Sequence, residues 1–171
     1  MIYYLSLGSN QGDKIANINK AINFLQGIGD IEEVSSLYET EPVGMEAGSG
    51  NFYNLVLSMQ VPPALSPVDL LREIKEFERR MGRDIAHSHN LPRIIDIDIL
   101  LAGEQVINTE ELMIPHQEMI KRAFVLIPLN EIAPGIMHPL LKKTAKELLH
   151  QLPAKNKMHR VKKIGYISLD R

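Results

Sequence analysis

The chain has 171 residues, is 44% hydrophobic and 23% charged, carries a formal net charge of -2, and contains no cysteine and no tryptophan. These values fit one domain spanning residues 1–171 with a core of its own, and the weak charge and sparse aromatic rings argue against a nucleic-acid partner. Without cysteine there can be no disulfide and no thiolate metal site. A reducing, cytoplasmic setting is expected, and no apolar run approaches the ~20 residues that a membrane span needs.

Ile2 to Leu7 reads as a first strand ending at Gly8, and residues 8–13 form a loop with Asp13 as a helix N-cap. Ile15, Ile18, Ile22 and Leu25 recur at helical spacing up to stops at Gly27 and Gly29. Gly8 and Gly12 enclose three residues and are followed by Asp13, not by Gly-Lys-Ser/Thr, so a tight strand-to-helix turn explains them better than a phosphate loop. Residues 31–40 have strand character, residues 41–50 form a long loop, and Phe52 to Val61 is a strong strand with Phe52 and Asn54 on one face. Ser66-Pro67-Val68-Asp69 opens a second helix, Leu70, Leu71, Ile74, Phe77 and Met81 continue it, and Gly82 ends it. Glu78 is expected beside that apolar stripe with its carboxylate in solvent.

Residues 83–92 form a polar loop with His87 and His89, which read as solvated histidines in the absence of further ligands. The strand that follows Arg93, alternating from Ile94 to Leu101, sends Asp96 and Asp98 to one face and Ile95, Ile97 and Ile99 to the other. Residues two apart on a strand are about 6.6 Å apart at Cα, so both carboxylates reach one small volume. Such a pair is either a wet strand face or a platform for a hard divalent cation, and the Arg93 cation beside it suits an anionic ligand such as a phosphate. Residues 105–108 are expected to pair with this strand as a hairpin. Val125 to Ile132 is compatible with a helix, Thr144 to Glu147 is a capping box, and Val161 to Leu169 alternates as a last strand. The order βαββαββ, followed by helices and a strand, predicts an α+β fold of the ferredoxin-like sandwich type, with helices on a mostly antiparallel sheet.

Several of these segments together resemble 6-hydroxymethyl-7,8-dihydropterin pyrophosphokinases. They are residues 4–10 (YLSLGSN), 38–44 (YETEPVG), 51–54 (NFYN), 92–100 (PRIIDIDIL), 114–116 (IPH), 122–124 (RAF) and 128–134 (PLNEIAP). The resemblance implies transfer of diphosphate from ATP to the hydroxymethyl group of 6-hydroxymethyl-7,8-dihydropterin, with AMP leaving, in folate biosynthesis. It implies two Mg²⁺ on Asp96 and Asp98, and catalytic roles for Arg93, Asp96, Asp98 and Arg122. It further implies an ATP site of Glu78, Arg83, Arg93, Ile99, His116 and Arg122, and a pterin site of Thr40, Val43, Phe52, Asn54 and Phe124. A monomer or weak homodimer is expected. Residues 84–91 lack the basic residues and Trp that many relatives carry, with His87 or His89 as partial substitutes, and Gln117 stands where Tyr is frequent. From the residues alone, a metal-dependent phosphodiesterase or a nucleotide-holding regulatory module would use the same Asp pair.

Overall fold

Alternation along the first strand decides the layering. Tyr3, Leu5 and Leu7 enter one buried cluster, whereas Tyr4 packs against another on the opposite face. The computed structural model describes residues 1–41, 50–82, 93–153, 156, 161–167 and 169. Its elements are β1 (Ile2–Ser9), α1 (Lys14–Gln26), β2 (Asp30–Val34), β3 (Leu37–Thr40), β4 (Phe52–Gln60), α2 (Pro67–Arg80) and β5 (Asp96–Ala102). They continue with β6 (Ile107–Asn108), β7 (Met113–Ile114), α3 (Ala123–Ile132), α4 (Ala145–Gln151) and β8 (Val161–Gly165).

The main sheet runs β5-β1-β4-β3-β8, with β2 also on β4, and every pairing in it is antiparallel. Leu55, Leu57 and Met59 of β4 join Ile18, Ala21, Ile22 and Leu25 of α1 and Leu70 and Ile74 of α2 on one face. The Phe24 and Phe77 rings stack at 4.3 Å between centroids and tie those two helices together. On the other face Val56 and Leu100 pack under Val125 and Leu129 of α3 and Ala145 of α4. This is the expected α+β sandwich.

The caps follow the sequence. Asp13 accepts from the Ala16 amide, Ser66 accepts from Asp69 with Pro67 in the first turn, and Thr144 and Glu147 complete a capping box. Three expectations need correction. Residues 31–40 form not one strand but two, because Ser35 and Ser36 interrupt the ladder. The Ser35 hydroxyl accepts from the Val56 amide at 3.0 Å and Ser36 turns to Glu131, so β2 and β3 take successive lengths of one β4 edge in different registers. Residues 107–108 pair with residues 113–114 and not with the Asp strand, whose outward side is met instead by Glu78 at the Ile97 amide and by the His116 amide at the Leu100 carbonyl. The last strand stops at Gly165.

Glu131 of α3 fastens the break between β2 and β3. Its carboxylate accepts from the Ser36 amide at 3.0 Å, the Ser36 hydroxyl at 2.5 Å, the Tyr38 hydroxyl at 2.8 Å and Lys163 of β8 at 3.2 Å. Burial alone would raise this carboxyl, but the donors from Ser36, Tyr38 and Lys163 outweigh it and hold Glu131 below its ordinary value. A carboxyl depressed in the folded state adds stability at neutral pH, and that contribution is lost as pH falls through its folded value. Glu131→Gln is expected to cost about 2 kcal/mol at pH 7. Urea unfolding of both proteins at pH 7 and pH 3 checks this, since the gap should narrow at the lower pH.

Candidate active site

Gly8 has no side chain for a structural reason that also organises the site. In the ladder Asp96 of β5 lies opposite Gly8 of β1, and Gly8 lies opposite Asn54 of β4, which in turn faces Tyr38 of β3. Residues directly opposite share a face, so Asp96 and Asn54 stand in one row on the α3 side, two strand spacings or about 10 Å apart. A Cβ on Gly8 would lie 2.9 Å from the Asn54 Oδ1 and 3.9 Å from the Phe52 ring. The gap left by Gly8 is filled by the amide of Asn54.

Along β5 and the residue before it the isoleucines enter the core and the carboxylates do not: Ile95, Ile97 and Ile99 are buried, and Asp96 and Asp98 are half-buried. The predicted shared face of the two carboxylates is therefore observed, although the strand begins at Asp96 and not at Ile94. Arg93 just ahead of the strand pairs with Asp96. Its backbone is held by Asn10, whose amide donates to the Arg93 carbonyl at 3.0 Å and whose Oδ1 accepts from the Arg93 amide at 2.6 Å. The loop after β1 thus extends the β1–β5 pairing by side chain and fixes where Arg93 sits.

Asp98 faces two more groups, with the Arg122 guanidinium at 3.6 Å and His116 Nε2 at 3.9 Å. Burial and, after it, the Asp96 charge push the Asp98 carboxyl above its ordinary value, while His116, Lys75 and Arg122 act in the opposite sense. His116 is anchored by its amide to the Leu100 carbonyl at 3.0 Å, and its Nδ1 accepts from the Glu118 amide at 3.2 Å. That bond leaves the ring proton on Nε2, which faces Asp98. Burial lowers the His116 pKa, so the ring is a neutral N–H donor at neutral pH. Arg122 occupies the N-cap position of α3, and its guanidinium lies 5.8 Å from the centroid of the Phe124 ring.

Two of the residues expected to read the pterin, Asn54 and Thr40, stand together at the β4 end of the row. Asn54 and Thr40 are both buried, and the Asn54 Nδ2 donates to the Thr40 hydroxyl at 2.8 Å. That bond fixes the amide flip and turns Oδ1 over Gly8. Phe52 and Phe124 each keep part of their surface open. Ile99, expected near ATP, has its side chain in the core at 3% exposure, so any ligand contact there is through its backbone. Val43, Arg83, His87 and His89 lie outside the described residues.

Glu78 is the clearest departure. Its side chain is fully buried, not solvated, with Oε1 accepting from the Ile97 amide at 2.7 Å and Oε2 from Lys75 at 2.9 Å. Leu70, Ile74 and Glu78 are the buried residues of α2 and recur every four positions. Glu78 is therefore on the core stripe, not beside it, and that spacing was visible in the sequence. Sequence reasoning also missed Asn10 and Lys75, because neither shows its long-range partner in local pattern.

Among the described residues there is no cluster of three or more His, Cys, Asp or Glu side chains arranged for a metal ion. A pair of half-buried carboxylates does fit Mg²⁺, which takes one or two protein carboxylates and completes its octahedron with phosphate oxygens and water. It does not fit a closed zinc or calcium cage. No helix of the described residues is long and apolar enough to cross a membrane.

Paired acidic oxygens flanked by two guanidiniums and an imidazole N–H make a site of the phosphoryl-transfer class. The family model described as 7,8-dihydro-6-hydroxymethylpterin-pyrophosphokinase matches residues 4–134. A 2-amino-4-hydroxy-6-hydroxymethyldihydropteridine pyrophosphokinase of Aquifex aeolicus is 44% identical over 144 residues, which cover 84% of this chain and 88% of that protein. The folic acid synthesis protein FOL1 of Dictyostelium discoideum is 39% identical over 160 residues, covering 94% of this chain but 24% of that longer protein. The fold is shared with the crystal structure of wild-type Plasmodium falciparum HPPK-DHPS with SDX-DHP, at a TM-score of 0.70 and 19% identity, covering 88% of this chain and 44% of that one. The chain belongs to the 7,8-dihydro-6-hydroxymethylpterin-pyrophosphokinase family. It is an enzyme of the diphosphotransferase type.

The Gly8 row gives a direct test of how the two halves of the site are divided. Gly8→Ala pushes on the Asn54 amide and leaves the charged groups alone. It is expected to raise the KM for the pterin about tenfold, the equivalent of one hydrogen bond, with the KM for ATP unchanged. Steady-state kinetics with each substrate varied in turn will show this.

Proposed function

We propose that the row of β5, β1 and β4 residues on the α3 face is where diphosphate passes from ATP to 6-hydroxymethyl-7,8-dihydropterin. The family's reaction belongs to folate biosynthesis. In the scheme proposed, the pterin hydroxymethyl oxygen forms a bond to the β-phosphorus of ATP. The bond from that phosphorus to the α,β-bridging oxygen breaks, AMP leaves, and the hydroxyl proton is released.

Asp96 and Asp98 would hold two Mg²⁺ between themselves and the triphosphate. When bound, such ions neutralise charge on the attacking and leaving oxygens of an in-line displacement. Arg93 and Arg122 exchange their present carboxylate partners for phosphate oxygens, which guanidinium forks match in geometry. His116 adds a neutral N–H donor from Nε2. At the far end of the row, Asn54 offers an acceptor to the heterocycle edge from an amide already oriented by Thr40. The Phe52 and Phe124 rings supply flat apolar surface, where a fused ring system gains stacking area. Val43 and Arg83 are proposed on the pterin and ATP sides respectively.

What supports this reading above all is the spacing of the row. Phosphate-handling groups and a heterocycle-reading amide stand on one face about 10 Å apart, with the side-chain-free Gly8 between them. The test uses ATP labelled separately at the β and γ positions. Both labels should arrive together on the pterin, with one unlabelled AMP released per turnover. Label in free inorganic phosphate, with no labelled pterin, would sink the proposal.

A further inference from the structure

Among the described residues β5 is an edge strand, and no strand of theirs receives its outward amides. One of those amides belongs to Ile97, the residue between Asp96 and Asp98, and a buried carboxylate from α2 takes it: Glu78 Oε1 accepts from Ile97 at 2.7 Å. The other carboxylate oxygen is held at 2.9 Å by Lys75, one helical turn earlier, whose side chain is 37% exposed. Glu78 itself is 0% exposed, in line with Leu70 and Ile74 on the stripe that packs against the sheet. Burying a carboxylate is costly and is sustained only where it has hydrogen-bond partners and a counter-charge.

The Ile97 amide is half of the peptide plane that leaves Asp96. Fixing that plane fixes the direction of the Asp96 side chain and its spacing to Asp98. We propose that Glu78 is a positioning residue for the metal platform, acting through the Ile97 amide and not by touching metal or nucleotide. Lys75 serves it by pinning the second oxygen, so the carboxylate cannot rotate away from the strand. The inference rests on the reading of Asp96 and Asp98 as Mg²⁺ ligands. Groups that orient metal ligands typically alter metal affinity by about ten- to a hundredfold when removed.

Two variants separate this role from plain packing. Glu78→Ala removes the acceptor. Glu78→Gln removes the charge but keeps a side-chain oxygen for Ile97, while Lys75 can swing into solvent. Mn²⁺ affinity is measured by electron paramagnetic resonance on the full chain with α,β-methylene-ATP, and the Ile97 amide is followed by nitrogen-15 NMR and hydrogen exchange. For Glu78→Ala the expectation is Mn²⁺ binding weakened at least tenfold, an upfield and fast-exchanging Ile97 amide, and an unchanged KM for the pterin. Glu78→Gln should keep Mn²⁺ affinity within threefold of the parent protein and a protected Ile97 amide.

Parent-like Mn²⁺ affinity in a folded Glu78→Ala protein overturns the inference. So does a tenfold loss in folded Glu78→Gln, which would mean that the charge acts directly. If Glu78→Ala does not fold, the Ile97 amide of Glu78→Gln decides: protection kept together with Mn²⁺ affinity supports the inference, and protection lost with parent-like affinity overturns it. Failure of the parent protein to bind Mn²⁺ with the nucleotide analogue would instead count against the Asp96–Asp98 reading itself.

Discussion

Asp98→Ala should abolish diphosphate transfer without unfolding the protein. A divalent ion at a phosphoryl-transfer centre is worth several kcal/mol of charge stabilisation, and each 1.36 kcal/mol is a factor of ten. A fall in kcat of about 10³–10⁴ at saturating Mg²⁺ is therefore expected, and Asp96→Ala should behave alike. Stability should move the other way. The Asp98 carboxyl is pushed up by burial and by Asp96. A carboxyl raised in the folded state favours folding only when protonated, and that advantage is gone once pH rises through its folded value. Once ionised, the group is thus a burden on the apo fold, and Asp98→Asn should melt no lower than the parent protein. Product release assays and thermal melts on the same preparations give both numbers. An active Asp98→Ala protein, or one that fails only because it unfolds, would contradict the assignment.

Arg122→Ala carries the second large effect. Its guanidinium is 3.6 Å from Asp98 and 5.8 Å from the Phe124 ring centroid, so on the proposed reading it reaches both the Asp pair and one of the rings offered to the heterocycle. Removing one group that stabilises transition-state charge usually costs about 10²–10³ in rate. Arg122→Lys keeps the charge but loses the planar fork and the flat face toward Phe124, and should recover no more than about tenfold of the loss. Rapid-quench measurement of the chemical step isolates this from product release. A chemical step in Arg122→Ala within fivefold of the parent protein would remove Arg122 from the catalytic set.

Local signals carried far in this chain. Asp13, Ser66 and Thr144 cap the helices they were expected to cap, because a cap needs only the residue and its next few neighbours. The shared face of Asp96 and Asp98 follows from strand alternation. What the sequence hid was long-range. Nothing local shows that the Ser35 hydroxyl will take the Val56 amide and split residues 31–40 into two strands. The outward side of β5 is met by Glu78 and by the His116 amide, neither of which a local pattern shows, and residues 107–108 pair with residues 113–114 instead. Glu78 reads as solvated because a carboxylate is a poor core residue by composition, yet its partner Ile97 lies 19 positions further along the chain. The Asp96–Gly8–Asn54 row is legible only once the register of three strands is known.

The resemblance named candidate residues, and the fold adds how several of them are held. Asn10 holds Arg93 by its backbone, Thr40 sets the Asn54 amide, and the α3 N-cap aims Arg122 at Asp98. These are the supports that distinguish a built site from a set of matching letters.

The central claim is that the Asp strand is a two-metal platform. Mn²⁺ titration of the full chain with α,β-methylene-ATP, read by electron paramagnetic resonance, counts the ions directly. Two bound ions per chain are expected, beyond what the nucleotide holds in free solution, and Asp96→Ala with Asp98→Ala together should lose both protein-dependent sites. An unchanged count in that double variant would contradict the account.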